Sequence, residues 1–211
     1  MIKKMNYKCH FLVVWLVLFA AGARAQNGRV YERGYYYDSA GRYDGYIAHA
    51  NDEYNTFLFK IDPEANYIKV TTDRCDSFFF KGKKYITLKN MEVRHHFAPP
   101  KQESVYALVL SEGAISLYVA LGVSDPARQA PVRFGGLRFY DNYSNIGCLL
   151  LERRSDGRRM VPSNKQRVFL KEMAAFIDDR PDIVQKIRDD IYSIENVEVL
   201  VLDYNTTTLK K

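Results

Sequence analysis

Turn residues divide most of this 211-residue chain into short apolar segments. Between Tyr31 and about Val161, runs of aromatic and β-branched residues alternate with small clusters of Gly, Pro, Asp, Asn or Ser. Apolar runs of roughly four to eight residues with turn clusters between them are typical of consecutive antiparallel strands. The pattern predicts an antiparallel β-meander of about eight to ten strands, in the form of a curled sheet or a partial barrel.

Five turn clusters each lie between two apolar runs; four of them predict β-hairpins, and the first predicts a hairpin or a loop between two strands. They occupy residues 38–41, 62–66, 81–83, 111–113 and 155–157. Gly82 and Gly157 can adopt the positive φ that a tight turn requires. Pro63 cannot donate a ladder hydrogen bond and therefore ends a strand. Residues 91–97 and 132–140 are predicted as two further strands.

The periodicity changes after Pro162. Apolar residues then recur every three or four positions, which predicts a helix that Ser163 or Asn164 caps and that ends at Arg180-Pro181. Pro181 begins a second helix. Residues 195–204 fit a helix or a strand, and we predict a helix. The fold class is therefore α+β: a β-rich region (26–162), two or three helices packed on it (163–205) as one domain, and a tail (206–211).

The first 25 residues are predicted to be a cleaved signal peptide. Lysines precede the apolar run 11–21, and Ala23 and Ala25 form an A-x-A cleavage site. The apolar run is about half as long as the roughly 20 residues that a transmembrane helix needs. We therefore expect cleavage near Ala25, export to the periplasm or the extracellular space, and no transmembrane anchor.

The basic charge of the chain comes largely from this leader. The segment carries four basic residues and no acid, so its removal lowers the formal net charge from +6 to +2. A nearly neutral mature chain gives no support to a nucleic-acid partner, and we predict none. Cys75 and Cys148 are the two cysteines that remain. In an oxidising compartment they form a possible disulfide, or they stay as two partly buried thiols.

Three groups of short motifs resemble those of a group of secreted or periplasmic proteins of Bacteroidota that has no assigned activity. The first group is Gly34-Tyr35-Tyr36 with Gly45-Tyr46-Ile47, and the second is Gly113-Ala114-Ile115-Ser116-Leu117-Tyr118. The third is a helix, an acidic-Pro break at 178–182, a second helix and Tyr204-Asn205. The resemblance covers nearly the whole mature chain, and it implies an exported α+β protein without naming a catalytic residue.

Tyrosines are concentrated near the mature N-terminus. Tyrosine combines a flat apolar ring with a polar tip, which suits stacking on sugars or anchoring a protein partner. We take four of them as candidate binding residues: Tyr35, Tyr37, Tyr43 and Tyr46. The alternative is that they are ordinary half-buried strand residues.

Arginines bracket the turn at 155–157 on both sides. On a hairpin they would meet at one tip and could hold a phosphate or carboxylate bidentately. These candidate binding residues are Arg153, Arg154, Arg158 and Arg159. The alternative is that they protect a hairpin edge from aggregation.

Catalytic and metal-binding motifs are missing from the sequence. His95 and His96 are adjacent, but alternation along a strand would point them in opposite directions, so we predict no metal site. We also predict no cofactor, since no dinucleotide or phosphate motif is present. The sequence thus predicts an exported, non-catalytic protein that binds an envelope protein or a glycan. The alternatives are a hydrolase with carboxylates such as Asp73, Asp76 and Glu92, or a carrier of an apolar ligand. No pattern indicates an oligomeric state.

Overall fold

Hairpin turns connect most of the consecutive strands in the first part of the chain. The computed structural model describes residues 29–49, 55–93, 101–121, 147–163 and 165–208. Within these ranges ten strands form one sheet, in which all neighbouring strands are antiparallel. The predicted curled antiparallel sheet followed by helices is confirmed. The strands are β1 (Glu32–Asp38), β2 (Gly41–His49), β3 (Thr56–Lys60), β4 (Ile68–Thr71), β5 (Ser77–Phe80), β6 (Lys83–Val93), β7 (Lys101–Ser111), β8 (Ile115–Leu121), β9 (Gly147–Arg153) and β10 (Arg159–Met160).

The sheet consists of two meanders that meet between β1 and β5. Its order is β10-β9-β8-β7-β6-β5-β1-β2-β3-β4. Strands β1 to β4 are consecutive neighbours, as are β5 to β10, but β5 lies beside β1 instead of β4. We call this junction the β1–β5 seam; its residue pairs run from Gly34↔Phe80 to Tyr37↔Ser77. The ten strands therefore do not form a single uninterrupted meander, because β4 and β5 are not neighbours. Hairpin turns specify the pairing only of strands that follow one another in the chain.

All five turn clusters form hairpins, and their turns use the expected chemistry. In the β1–β2 turn, Asp38 Oδ1 accepts hydrogen bonds from the backbone N–H groups of Ala40 at 2.7 Å and Gly41 at 3.1 Å. In the β5–β6 turn, Lys81 has φ 53° and Gly82 has φ 71°. Two consecutive residues of positive φ form the tight turn whose twist matches that of the flanking strands.

Residues 91–97 were predicted to form a separate strand, and this was wrong for the part that the structure describes. Met91 continues β6 beyond a bulge between Leu88 and Met91, where Asn90 has φ 57°. A bulge lets one strand bend without ending, so no turn separates the two segments. Residues 94–97 and the strand predicted at 132–140 lie outside the described residues.

Three helices follow the sheet: α1 (Gln166–Phe176), α2 (Pro181–Arg188) and α3 (Val197–Thr208), with a 3-10 turn at Ile194–Asn196. The prediction of a helix for 195–204 is confirmed. The predicted tail is helical as far as Thr208. No helix within the described ranges is long and apolar enough to cross a membrane.

The local sequence explains where these helices begin. Pro181 starts α2, at a position where the missing backbone N–H costs no hydrogen bond. Lys165, rather than the predicted Ser163, is the residue that precedes α1, and no side chain caps that end. Asn164, the other predicted cap, lies outside the described residues. The Ser163 hydroxyl instead accepts a hydrogen bond from the Lys165 N–H at 3.2 Å, so it orders the approach to the helix.

Side-chain alternation divides the apolar residues between the two faces of the sheet. We call the face that packs against the helices the inner face, and the opposite one the outer face. Phe78, Tyr106 and Leu151 belong to the inner cluster together with Phe169 of α1 and Leu200 of α3. On the outer face of β6 to β9, a second buried cluster contains Leu88, Val105, Ala107, Tyr118, Ala120, Cys148 and Leu150.

Curling of the sheet brings the edge strand β4 towards β7. The Tyr106 hydroxyl donates a hydrogen bond to the Val70 carbonyl at 3.3 Å, and the Thr72 hydroxyl donates one to the Ser104 carbonyl at 3.3 Å. The Phe57 ring lies 5.6 Å from the Tyr106 ring, centroid to centroid. Aromatic packing and two polar contacts therefore connect the first meander with the second across the inner face.

The side chain of Asn205 fixes α3 to the sheet. Its amide nitrogen donates to the Ile115 carbonyl at 2.8 Å, and its Oδ1 accepts from the Ile115 N–H at 2.9 Å. Asn205 is 9% exposed and Ile115 is fully buried. A Cβ at Gly113 would lie 2.4 Å from the Asn205 amide carbon, so only glycine leaves room for this contact.

Candidate functional site

Exposed charged side chains and mostly half-buried aromatic side chains cover the outer face where β2, β1 and β5 lie side by side. The strand register places Tyr35 opposite Asp44 on β2 and opposite Phe79 on β5. Because side chains alternate, every second residue of these strands joins the same surface. We call this surface the outer aromatic face; its members are Arg33, Tyr35, Tyr37, Arg42, Asp44, Tyr46 and Phe79.

Tyr35 is the centre of this face and is held by its neighbours. Its ring stacks on Phe79 with a centroid distance of 5.4 Å and an interplanar angle of 8°. The guanidinium carbon of Arg42 lies 3.8 Å from the centroid of the same ring. Tyr37 meets it edge-on at 5.8 Å. These contacts fix the orientation of Tyr35, whose role is to support the surface rather than to offer a free ring face.

Arg42 is neutralised within the face. Its guanidinium pairs with Asp44 at 2.6 Å through Nη2 and at 3.1 Å through Nε. The hydrogen bond to Asp44 raises the pKa of Arg42 above its ordinary value. Since both charges are well exposed, the pair contributes little to stability, but it orients both side chains.

A groove of about 460 Å³ opens beside Tyr46 on this face. Its volume lies within the range of about 300–1,000 Å³ that is usual for small-molecule sites. The outer aromatic face supplies one side, and the β3–β4 turn supplies the other. The lining residues are Arg33, Gly34, Tyr35, Asp44, Gly45, Tyr46, Ile61, Asp62, Pro63 and Phe79.

The floor of the groove is a pair of glycines, Gly34 and Gly45, which are register partners. A Cβ at Gly45 would lie 2.2 Å from the Lys60 carbonyl oxygen and 2.5 Å from the Phe59 ring. A Cβ at Gly34 would lie 2.5 Å from the Phe79 carbonyl oxygen. Both positions therefore require glycine for close strand packing, which gives a physical role to the two glycine motifs noted in the sequence.

The β3–β4 turn forms a braced wall of the groove. Asp62 Oδ1 accepts a hydrogen bond from the Glu64 N–H at 2.9 Å, and the Asp62 carbonyl accepts one from the Ala65 N–H at 3.1 Å. The Lys60 ammonium donates to the Pro63 carbonyl at 3.0 Å. An aspartate-supported turn with a proline is stiff, so the wall is largely formed before a ligand arrives.

The four tyrosines proposed from the sequence do not share one surface. Tyr35, Tyr37 and Tyr46 lie on the outer aromatic face, whereas Tyr43 lies on the inner side. There Tyr43 stacks on Tyr36 with a centroid distance of 4.8 Å. Only the β1–β5 seam and the folded β3–β4 turn bring the other groove residues together, so no local pattern indicates them as a site: Arg33, Ile61, Asp62, Pro63 and Phe79.

The arginines at the β9–β10 tip bind acids of their own chain. Arg153 is only 8% exposed. Its guanidinium donates to the Phe176 carbonyl at 3.0 Å, to Asp178 at 3.0 Å and to Asp179 at 3.1 Å, and it also pairs with Asp156. These contacts join the hairpin to the C-terminal end of α1, where a cation is favourable beside the last carbonyls.

The neighbouring arginines have internal partners as well. Arg158 pairs with Asp156 at 2.7 Å and with Asp178 at 3.2 Å. Arg159 pairs with Glu152 at 3.2 Å and donates to the Lys89 carbonyl at 2.8 Å. Arg154 is exposed. The geometry therefore gives three of these four arginines a structural role.

Cys75 and Cys148 are both buried, and the structure does not bridge them. Cys75 belongs to the inner cluster and Cys148 to the outer one, so the two thiols pack on different faces of the sheet. Burial raises the pKa of the Cys75 thiol to about 12. A protonated, buried thiol is a poor nucleophile.

The histidines and carboxylates considered from the sequence lie only partly within the described residues. The side chains of His49 and Glu92, and all of His95 and His96, lie outside the described residues. Across the part of the chain that the structure describes, no three His, Cys, Asp or Glu side chains converge as metal ligands. The hydrogen bond from Thr71 lowers the pKa of Asp73, which favours an ionised carboxylate rather than a general acid at neutral pH.

Comparison with known proteins finds no family model, no curated protein and no solved structure that matches the chain.

Proposed function

We propose that this chain is an exported, non-catalytic binding domain that recognises a glycan of the cell envelope through the groove beside Tyr46. The observation that carries the proposal is the composition of the groove. Aromatic side chains, backbone at the glycine floor and two aspartates line one open hollow. Sugars present apolar C–H faces and hydroxyl edges, and this lining offers a partner for each of them.

The fixed arrangement of the lining also supports a binding role. Phe79 and Arg42 hold Tyr35 at 5.4 Å and 3.8 Å respectively, and Asp62 braces the opposite wall. A site that is ordered before binding loses less conformational entropy when the ligand arrives. That is an advantage for a weak, hydroxyl-rich ligand such as a polysaccharide.

A glycan fits the groove better than a protein surface does. Stable protein interfaces bury roughly 800 Å² on each partner, whereas small ligands bind in local concave sites. The groove is instead a local hollow between a turn and a sheet face. Export, which the N-terminal apolar run predicts, would place the site among envelope polysaccharides.

The acids in the groove are better suited to hydrogen bonding than to hydrolysis. Arg42 holds Asp44 as an ion pair, and one oxygen of Asp62 accepts a backbone N–H. Glycoside hydrolysis needs a protonated carboxylic acid and a second carboxylate placed across the scissile bond. Asp44 and Asp62 are proposed to accept hydrogen bonds from sugar hydroxyls.

The test is a screen of the purified chain against immobilised envelope polysaccharides, with affinities then measured by calorimetry. Tyr46→Ala and Phe79→Ala should each weaken glycan binding at least about tenfold, which corresponds to 1.4 kcal/mol. Tyr67→Ala is the matched control, because Tyr67 is 48% exposed and does not line the groove.

Two results would overturn the proposal. One is capture of a protein but of no polysaccharide from the envelope fraction. The other is glycan binding that Tyr46→Ala and Phe79→Ala weaken no more than Tyr67→Ala does. Release of reducing sugar ends during the assay would instead identify a hydrolase.

A further inference from the structure

Arg33 lines the groove, and it differs from two nearby cations, Arg42 on β2 and Lys60 on β3, which bind residues of the groove wall. Arg42 is paired with Asp44 at 2.6 Å, and the Lys60 ammonium donates to the Pro63 carbonyl at 3.0 Å. Arg33 is exposed, and its guanidinium lies 6.0 Å from the centroid of the Tyr46 ring. Among the residues that the structure describes, no carboxylate pairs with it. The groove therefore presents one guanidinium whose donors are available.

The position of Arg33 suits a planar anion. A guanidinium has five N–H donors in a rigid fork, which matches the two oxygens of a carboxylate. An aromatic ring beside the guanidinium favours a fixed orientation, as in cation–π contacts. A lysine in the same place would offer a point charge without this geometry.

We infer that the groove selects an acidic polysaccharide, in which Arg33 binds the carboxylate of a uronic acid unit bidentately. This inference rests on the proposed glycan-binding function and adds the class of sugar. The unit stacks on Tyr46 beside Arg33, and its hydroxyls point towards Asp44 and Asp62, which accept hydrogen bonds. A carboxylate beside Asp62 would meet like charge, so the acid group is confined to the Arg33 side.

The experiment compares two polymers with the same sugar backbone, one with free carboxylates and one with neutral methyl esters. Polygalacturonate and its fully methyl-esterified form have the same backbone, but only the first carries free carboxylates. We expect the chain to bind polygalacturonate at least about tenfold more tightly at low salt, and this preference to fall as ionic strength rises.

Three variants assign the preference to Arg33. Arg33→Ala should remove the discrimination between the two polymers, and Arg33→Lys should restore only part of it. Arg154→Ala is the matched control, because Arg154 is also an exposed arginine but lies at the distant β9–β10 turn. Each variant should keep the melting temperature of the parent chain, since these side chains are exposed.

The outcomes separate this inference from the function on which it rests. Equal affinity for both polymers, with binding still lost in Tyr46→Ala, would overturn the role of Arg33 and leave glycan binding intact. The role of Arg33 would also be overturned if Arg33→Ala still discriminated between the two polymers. The same holds if Arg154→Ala lost the discrimination to the same extent as Arg33→Ala. If neither polymer binds, uronate recognition is refuted, and the polysaccharide screen decides the general function by itself.

Discussion

Replacing Asn205 with alanine should be among the most damaging single changes in this protein. Its amide makes two hydrogen bonds, of 2.8 Å and 2.9 Å, to the backbone of Ile115, a residue with no exposed surface. Alanine would leave a buried N–H and a buried carbonyl without partners. Each such group costs about 1–3 kcal/mol, so the free energy of unfolding should fall by about 2–6 kcal/mol.

Thermal and urea denaturation measure this loss. For a chain of this size 1 kcal/mol corresponds to about 2–4 °C, so the melting temperature of Asn205→Ala should fall by at least about 4 °C. Thr206→Ala is the control: it removes the hydroxyl of an exposed neighbour that bonds only within α3, and it should cost about 0.5 kcal/mol or less.

A double-mutant cycle with Gly113 tests the geometry directly. Gly113→Ala should destabilise the parent chain, because its Cβ would lie 2.4 Å from the Asn205 amide. The same change should cost less in Asn205→Ala, with an interaction energy above about 0.5 kcal/mol. Additive effects, or an Asn205→Ala loss no larger than that of Thr206→Ala, would refute the proposed role of this side chain.

Four further predictions address other parts of the molecule. Arg153→Met should lower the free energy of unfolding by about 2 kcal/mol in urea denaturation, because it removes the hydrogen bonds of a largely buried guanidinium to the Phe176 carbonyl and to Asp178 and Asp179; an unchanged midpoint would contradict the structural role of Arg153. Gly45→Ala should cost about 1–3 kcal/mol by overpacking against Lys60 and Phe59 and should also weaken glycan binding, as calorimetry would detect. Hydrogen bonds from the Lys186 ammonium and the Tyr192 hydroxyl lower the pKa of Asp203 below its ordinary 3.8. The ionised Asp203 therefore stabilises the fold above pH 3.8, and this contribution is lost as the pH falls through the lowered pKa. The stability difference between the parent chain and Asp203→Asn should accordingly shrink on acidification. Native protein at pH 8 should leave Cys75 unlabelled by a maleimide and should label it in urea, which mass spectrometry of the digested chain would show.

The hairpins could be predicted from the sequence because their information is local. A two-residue loop between Asp38 and Gly41 even sets the β1–β2 register, so Tyr43 could have been assigned to the face of Tyr36 by alternation alone. The bulge near Asn90 was missed because the polar pair Lys89-Asn90 was interpreted as a boundary between two strands, whereas β6 continues through it.

The groove could not be predicted, since its parts meet only through long-range pairing. Phe79 reaches Tyr35 across the β1–β5 seam, and no turn signal specifies that pairing. The arginine tip was expected to face solvent, because nothing near Arg153 in the sequence indicates that Asp178 and Asp179 fold against it. The sequence indicates the clusters of tyrosines and arginines, and the strand topology determines which of these side chains are exposed.

The β1–β5 seam also has a consequence for how the chain must fold. While β5 is still unstructured, β1 has hydrogen-bonding groups on one side that no neighbour satisfies, within its Tyr35-Tyr36-Tyr37 segment. An aromatic strand with an open edge is a template for pairing with other chains. Newly made protein is therefore most prone to aggregate after the first meander has formed and before β5 pairs with β1. The folding yield should depend on the protein concentration during that interval.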